Sequence, residues 1–178
     1  FKPEIIFHLA AQSLVIKSYK NPLDTISTNV MGSVNILEYV KSSKYVKSLI
    51  YVTSDKVYEN NETNRIFKEH NRLGGSDPYS SSKVAAECLF DGYSKSFFMN
   101  KNIGIATVRS GNVIGGGDWS ENRIIPDIIK SIKEKRKLII RNPSHTRPWQ
   151  HVLEPLIGYL KLGMKLYENK KYSGAWNF

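Results

Sequence analysis

The feature that most constrains the fold of this chain is a regular alternation of short apolar runs with longer amphipathic segments. Three apolar runs, at 4–10, 48–53 and 103–108, have the length and composition of buried strands. Two longer segments, 28–42 and 79–99, carry apolar residues at helical spacing. Because strands that alternate with helices build parallel sheets, the pattern predicts an α/β fold: a doubly wound parallel sheet covered by helices on both faces.

The rest of the chain gives weaker signals. The polar residues 60–78 predict a loop, and three consecutive glycines from Gly115 end the regular alternation. A helix over 126–134, a strand over 137–141 and a last helix over 155–169 are predicted by the same spacing rules.

Both ends of the chain lead us to expect a piece of a longer protein. The chain begins with Phe1 rather than Met and enters an apolar run almost at once. It closes on the aromatic segment 174–178, whose composition is more typical of the inside of a domain than of its end.

The composition excludes several classes of protein. Of the 178 residues, 40% are hydrophobic and 24% are charged, which excludes a disordered chain, a collagen and a disulfide scaffold. No apolar run approaches the ~18 residues of a membrane-spanning helix, so we predict no membrane partner. Cys88 is the single cysteine and has no partner for an internal disulfide, so we expect a cytoplasmic protein.

The net charge of +10 raises the question of nucleic-acid binding. The densest basic stretch, 130–137, is interrupted by Glu134, and isoleucines recur in and before it at helical spacing. This pattern favours the solvated face of an amphipathic helix. We therefore predict no nucleic-acid partner, and the charge suits a small anionic substrate. A non-catalytic basic binding module remains the remote alternative.

Polar side chains follow three of the predicted strands. Gln12 follows the first strand, Ser54, Asp55 and Lys56 follow the second, and Asn112 follows the third. The carboxyl ends of parallel strands meet at one edge of a sheet, and ligands bind beyond that edge. We therefore predict the active site there.

Tyr79 and Lys83 form the central chemical signal. Their spacing of four residues places them on one face of a predicted helix, one turn apart. A free phenol has a pKa of about 10 and is a poor base at neutral pH, whereas a nearby ammonium favours the phenolate and lowers that pKa. We therefore expect the pair to remove a proton from a sugar hydroxyl.

Together, four groups of residues resemble the extended short-chain dehydrogenase/reductases that act on nucleotide sugars. They are His8-Leu9-Ala10-Ala11-Gln12, Thr28-Asn29-Val30-Met31-Gly32, the set Ser54, Tyr79 and Lys83, and Arg109-Ser110-Gly111-Asn112-Val113-Ile114-Gly115, in which Ile114 replaces the usual Tyr. The resemblance implies the C-terminal half of a Rossmann-like sheet in residues 1–115, as a partial NAD-binding domain with the catalytic residues. It implies part of a smaller substrate-binding domain in residues 116–178.

The resemblance also implies a set of cofactor-binding residues for NAD. They are Leu9, Ala10, Ala11, Gln12, Asn29, Tyr79 and Lys83. The glycine-rich turn that would hold the cofactor pyrophosphate does not occur in this sequence, so the family would supply it from before Phe1. We therefore expect the isolated chain to bind NAD weakly and to be inactive, and we expect a homodimer in the full-length protein.

The segment Thr53-Ser54-Asp55-Lys56-Val57-Tyr58 resembles the dehydratases of this family rather than the epimerases. Dehydratases have two ionisable residues directly after the hydroxyl residue. Stretches at 111–119, 141–143 and 146–155 resemble the dehydratases that act on CDP-glucose. The resemblance implies a lyase that forms a 4-keto-6-deoxy sugar for deoxysugar and lipopolysaccharide synthesis. Another nucleotide-sugar 4,6-dehydratase or a 4-epimerase is the nearest alternative.

The reaction implied by the resemblance requires a base for the 4-hydroxyl and an acid–base pair at C5 and C6. Tyr79 would take the 4-hydroxyl proton, with Ser54 bonded to the same oxygen, while NAD accepts a hydride and later returns it. We assign Asp55 as the acid for the 6-hydroxyl and Lys56 as the base for the C5 proton. This split needs a raised pKa at Asp55 and a lowered one at Lys56.

Candidate substrate-binding residues are those whose side chains suit a pyrophosphate, a ribose or a sugar hydroxyl. They are Asn112, Arg123, Arg141, Arg147 and His151. Four histidines and one cysteine without ligand-like spacing predict no metal site.

Overall fold

The computed structural model of the chain describes residues 1–60 and 66–178, and its centre is a four-stranded parallel sheet. The strands, adjacent in this order, are β1 (Ile5–His8), β2 (Ser48–Val52), β3 (Gly104–Arg109) and β6 (Gly174–Asn177). A separate parallel pair joins β4 (Asn112–Ile114) to β5 (Trp149–His151). The predicted α/β fold with a parallel sheet is confirmed.

Helices cover the main sheet on both faces. The α-helices of the described residues are α1 (Val15–Lys20), α2 (Pro22–Ile26), α3 (Gly32–Ser42), α4 (Pro78–Tyr93), α5 (Ile124–Lys133) and α6 (Leu153–Glu168). Of these, α3 and α4 pack on one face of the main sheet and α6 packs on the other. On one face Leu37 and Phe90 of α3 and α4 join a buried cluster with Leu49 of β2. On the other face Leu166 of α6 joins a cluster with Ile50. Successive side chains of β2 therefore pack in two hydrophobic cores, one on each face of the sheet. This explains why the strand is a continuous apolar run.

Two helices continue through wide turns of π-helix. The segment Ser27–Met31 joins α2 to α3, and the segment Ser94–Phe98 extends α4. The predicted helix over 28–42 therefore begins further back, at Pro22, and contains a π turn around Asn29.

The predicted strand over 137–141 is wrong. These residues form no strand, and the side chains of Ile139 and Ile140 are 81% and 48% exposed. Strand propensity reflects packing on a pleated surface, and this segment has no neighbouring strand on which to pack. Conversely, the aromatic segment at 174–178 contains β6, a strand that the sequence pattern did not predict. The predicted loop over 60–78 lies partly outside the described residues.

The C-terminal part of the chain returns to the main sheet. Both α6 and β6 come after residue 115, yet α6 packs on β2 and β3, and β6 pairs with β3. The predicted division at residue 115 stays a prediction. Within the described ranges, no helix has both the length and the apolar character needed to cross a bilayer.

Candidate active site

A tight turn at the carboxyl end of β2 carries the first group of candidate residues. Asp55–Val57 form one turn of 3₁₀-helix, and the Ser54 hydroxyl caps it by accepting from the Lys56 backbone N–H at 3.2 Å. The Ser54 hydroxyl also lies 3.1 Å from Oδ1 of Asp55, and the Asp55 N–H donates to the Ser110 carbonyl at 3.1 Å. The turn is thus held against the segment that follows β3.

Burial gives Asp55 the character of an acid. Loss of solvation raises the pKa of its carboxyl, and this effect exceeds the opposing contributions of the Ser54 hydrogen bond and of the nearby Lys56 and Arg147 cations. A carboxyl with a raised pKa holds a proton at higher pH, as the acid role predicted from the sequence requires.

The start of α4 positions the second group. Asp77 and Ser80 form a reciprocal capping box, and Pro78 occupies the first turn. Gly75 lies against this turn, where a Cβ atom would stand 2.4 Å from the Ser81 nitrogen. A larger residue at 75 would push the preceding loop away from the helix start that carries Tyr79.

Tyr79 is buried, with 7% of its surface exposed, and its phenol lies close to the Ser54 side chain. Burial raises the pKa of its phenol, which is the reverse of the predicted lowering. The nearby Ser54 hydroxyl and the Arg123 charge oppose the rise in pKa, while Asp55 and Asp77 add to it. The prediction considered only the ammonium one turn away and omitted the cost of desolvating a phenolate.

Lys83 is even more buried, with 4% exposed, and its Nζ donates to the Val52 carbonyl at 3.2 Å. Burial lowers its pKa from 10.5 to about 8, against the opposing charge of Glu87 on the next helical turn. Lys83 therefore stays largely cationic at neutral pH and contacts the backbone of β2 beside the turn that carries Ser54 and Asp55.

This lowered pKa predicts how stability changes with pH. Between pH 8 and 10.5 the unfolded chain keeps a proton on Lys83 that the folded chain has released, so folding becomes more favourable as the pH rises. In the parent protein the free energy of unfolding should rise by about 3 kcal/mol over this pH range because of Lys83. In the Lys83→Met variant this rise should be absent. Urea unfolding of both proteins at pH 7.5 to 10 measures the difference, and parallel curves would contradict the burial of a titrating lysine.

An open cleft of about 530 Å³ lies at the carboxyl end of β1. Its lining includes His8, Ala10, Ala11 and Gln12, while Leu9 is half exposed. The Lys83 charge contributes to the lowered pKa of His8, after the larger effect of burial, so the buried ammonium lies near this cleft. Small side chains, an open strand end and a buried cation fit part of a dinucleotide such as NAD.

Asn29 holds the loop that lines this cleft. Its side chain accepts from the Gln12 N–H at 2.8 Å, donates to the Gln12 carbonyl at 3.0 Å and donates to the Ser82 hydroxyl at 2.8 Å. The Gln12 side chain in turn donates to the Thr25 hydroxyl at 2.9 Å. These bonds tie the end of β1 to α4, so Asn29 shapes the cleft from behind.

The charges of two candidate substrate-binding arginines reach Tyr79 and Asp55. Arg123 pairs with Asp118 at 3.0 Å, donates to the Ser13 hydroxyl at 3.0 Å, and its charge reaches Tyr79. The charge of Arg147 reaches Asp55.

The other three candidates have partners elsewhere. Arg141 donates to the Asn122 carbonyl at 2.8 Å. His151 accepts from the Leu153 N–H at 3.3 Å through Nδ1. Asn112 lies in β4, in register with Trp149. Of the five candidates, the structure therefore brings the charge of Arg147 near Asp55 and that of Arg123 near Tyr79.

A buried ion pair next to the site was missed by the sequence reasoning. Glu87 contacts Arg109 with Nε–Oε1 at 2.8 Å, and both residues are almost fully buried. The available signal was the position of Glu87, four residues after Lys83 on the same helix face. Nothing local in the sequence indicates that its partner lies at the end of β3.

The chain is similar to several known proteins in sequence and in fold. A family model described as GDP-mannose 4,6 dehydratase matches residues 1–167. The chain is 51% identical to a CDP-glucose 4,6-dehydratase from Salmonella typhimurium, over 100% of this chain and 51% of that protein. It is 26% identical, with a TM-score of 0.76, to a dTDP-glucose 4,6-dehydratase from Bacillus anthracis solved in complex with NAD, covering 98% of this chain and 51% of that one.

The fold itself is shared more widely. An epimerase from Methanothermobacter thermautotrophicus superposes with a TM-score of 0.86 at 24% identity, over 99% of this chain and 52% of that one. The chain thus spans about half the length of the relatives that it matches.

Proposed function

Since this chain belongs to the GDP-mannose 4,6-dehydratase family, we propose that it carries the catalytic half of an NAD-dependent nucleotide-sugar 4,6-dehydratase. The 51% identity to the Salmonella typhimurium protein favours CDP-glucose as the substrate and CDP-4-keto-6-deoxyglucose as the product. The enzyme is then a hydro-lyase.

The observation that carries this proposal is the junction of Tyr79, Ser54 and Asp55. The Ser54 hydroxyl donates to the carboxyl of Asp55 and lies close to the phenol of Tyr79, so a base for one sugar hydroxyl adjoins an acid for another. Burial holds the Asp55 carboxyl toward its protonated form. An epimerase needs only the Tyr79 side of this junction, because it eliminates no water.

Each residue has a defined task in the proposed reaction. Tyr79 accepts the proton of the sugar 4-hydroxyl, and Ser54 orients that hydroxyl by a hydrogen bond. Lys56 takes the proton from C5, made acidic by the adjacent 4-keto group, and Asp55 gives a proton to the 6-hydroxyl as water leaves. NAD held in the cleft beside Gln12 and Asn29 would supply a reversible hydride acceptor for the sugar, so no external oxidant would be consumed. After C6 is reduced, Lys56 returns a proton to C5, which restores the C5–H bond of the product.

Cofactor and substrate meet at this junction in the proposal. The lining of the cleft at Ala10, Ala11 and Gln12, with Leu9 next to it in the chain and with Asn29 and Lys83 behind it, supports NAD binding. The charges of Arg123 and Arg147 support contact with the pyrophosphate of the substrate. Asn112, Arg141 and His151 complete the proposed set of substrate contacts. NMR titration with CDP tests this assignment, since unshifted arginine side-chain signals would contradict it.

The experiment that tests the function is a product assay on the protein as it is naturally produced. Incubation with CDP-glucose and NAD should yield a 4-keto-6-deoxy sugar, measured by its absorbance after alkali. Formation of a galactose epimer instead would identify a 4-epimerase. Turnover of dTDP-glucose or GDP-mannose but not of CDP-glucose would identify a different dehydratase.

We extend the proposal to assembly and setting. An apolar groove runs along α4 and its π-helical extension, where Leu89 and Phe97 line it, and Val30 of the segment before α3 closes it. This groove supports a homodimer through these helices. Sedimentation of the natural protein as a monomer at micromolar concentration would contradict the dimer.

The single cysteine and the nucleotide-sugar substrate support a cytoplasmic enzyme in lipopolysaccharide precursor synthesis, with neither nucleic acid nor membrane as a partner. Its fractionation with membranes would contradict that setting.

A further inference from the structure

Glu87 is a buried carboxylate that the proposed reaction does not use. It lies on α4, one turn beyond Lys83, and is 5% exposed. Each of its oxygens accepts two hydrogen bonds. Oε1 accepts from the Thr53 hydroxyl at 2.6 Å and from Nε of Arg109 at 2.8 Å. Oε2 accepts from the Thr107 hydroxyl at 2.9 Å and from Nη2 of Arg109 at 2.8 Å.

These bonds reach both ends of the turn that carries the proposed catalytic residues. Thr53 is the residue before Ser54, at the entry to the turn. Tyr58 is the residue after Val57, at its exit, and its hydroxyl accepts from Nη1 of Arg109 at 2.9 Å. The Arg109 guanidinium also lies over the Tyr58 ring, 5.0 Å from its centroid. Glu87 therefore hydrogen-bonds directly to the residue at the entry of the turn, and through Arg109 it is connected to the residue at its exit.

Helix α4 carries Tyr79 and Lys83, so the same bonds connect the two halves of the site. Ser54 lies in the turn that follows β2, whereas Tyr79 lies in α4, and the two segments meet through side chains. The close approach of the Ser54 hydroxyl to the Tyr79 phenol needs a fixed separation between the turn and the helix. A carboxylate with all four acceptor positions occupied in the protein interior has little freedom to move.

We infer that Glu87, with Thr53 as its link to the turn, is a positioning residue that holds Ser54 and Asp55 in register with Tyr79. The inference rests on the proposed function only for the catalytic roles of those three residues. The hydrogen bonds of Glu87 to Thr53, Thr107 and Arg109 are called the clamp below. This clamp is a geometric property of the fold and can be tested without an activity assay.

Substitution of Glu87 itself is a poor test, because it leaves Arg109 buried without its anion and can unfold the protein. Thr53→Val is sharper, since it removes one hydroxyl and leaves Oε1 bonded to Nε of Arg109. Thr107→Val is its matched control. It removes the equivalent hydroxyl from Oε2, which keeps Nη2 of Arg109, but residue 107 lies inside β3, in register with Tyr51, and is not part of the chain segment that forms the turn.

Hydrogen exchange reads out the position of the turn. The amides of Asp55, Lys56 and Val57 bond to the Ser110 carbonyl, the Ser54 hydroxyl and the Ser54 carbonyl, respectively. In Thr53→Val these amides should exchange about tenfold faster than in Thr107→Val, because a hydrogen bond to a buried charge is lost at the base of the turn. Equal exchange at these amides in the two variants would overturn the inference, since a general loss of stability affects both alike.

Kinetics on the natural protein provide the second readout. Thr53→Val should lower kcat about tenfold at unchanged KM, while Thr107→Val keeps the parent kcat. An unchanged kcat in Thr53→Val would overturn the positioning role. If the parent protein forms no 4-keto-6-deoxy sugar, the proposed function fails, and hydrogen exchange alone then decides whether the clamp exists.

Discussion

Replacement of Tyr79 with Phe is expected to lower the rate of product formation by about a thousandfold, within the usual range for loss of a general base. The ring stays in its buried position, so the fold should persist, but no group remains to accept the proton of the sugar 4-hydroxyl. The Ser54 hydroxyl also loses the phenol oxygen that lies close to it on α4. The product assay measures the rate, and circular dichroism measures the fold.

Tyr45→Phe is the matched control for this variant. Tyr45 is 46% exposed and precedes β2, so it lies at the amino end of this strand, whereas the turn that carries Ser54 and Asp55 lies at the carboxyl end. Loss of its hydroxyl should leave the rate unchanged. A Tyr79→Phe protein that keeps more than about a tenth of the parent rate would contradict the assignment of Tyr79 as the base.

Replacement of Lys56 with Ala should block the reaction after oxidation at C4. Without a base for the C5 proton, the 4-keto sugar cannot lose water, and the rate of 4-keto-6-deoxy product formation should fall by at least about a hundredfold. Two signatures identify this block. Borodeuteride should trap a 4-keto sugar that still carries its 6-hydroxyl, and deuterium from D₂O should not enter C5. Lys44→Ala, which truncates an exposed lysine away from the site, is the control.

Asp55→Asn should give the complementary pattern. The amide cannot donate a carboxyl proton to the 6-hydroxyl, so elimination should stop, while Lys56 still removes the C5 proton and lets deuterium enter from solvent. If Lys56→Ala instead permits exchange at C5 and Asp55→Asn prevents it, the two roles are reversed. Full turnover by either variant would remove that residue from the chemistry.

Much of this site could be predicted because it depends on local spacing. A continuous apolar run followed by Ser54 and Asp55 predicts a buried strand that ends in reactive groups, and the register of β2 with β3 confirms that strand. The interval between Tyr79 and Lys83 predicts one helix face, and both side chains are buried on α4. Such features can be read from the sequence because the backbone geometry of a helix or strand fixes the direction of each side chain from its position in the element.

What local spacing does not encode is which distant groups meet and how much water they lose. Strand β6 forms because β3 offers it an open edge, whereas residues 137–141, with a more strand-like composition, have no such edge. The pKa of Tyr79 rises because the fold desolvates the phenol, an effect that no sequence interval reports. Sequence alone therefore determined which reactive groups are present and at which strand and helix positions. Tertiary structure decided their protonation tendencies and their clamping by Glu87, because both depend on burial and on contacts between residues far apart in the chain.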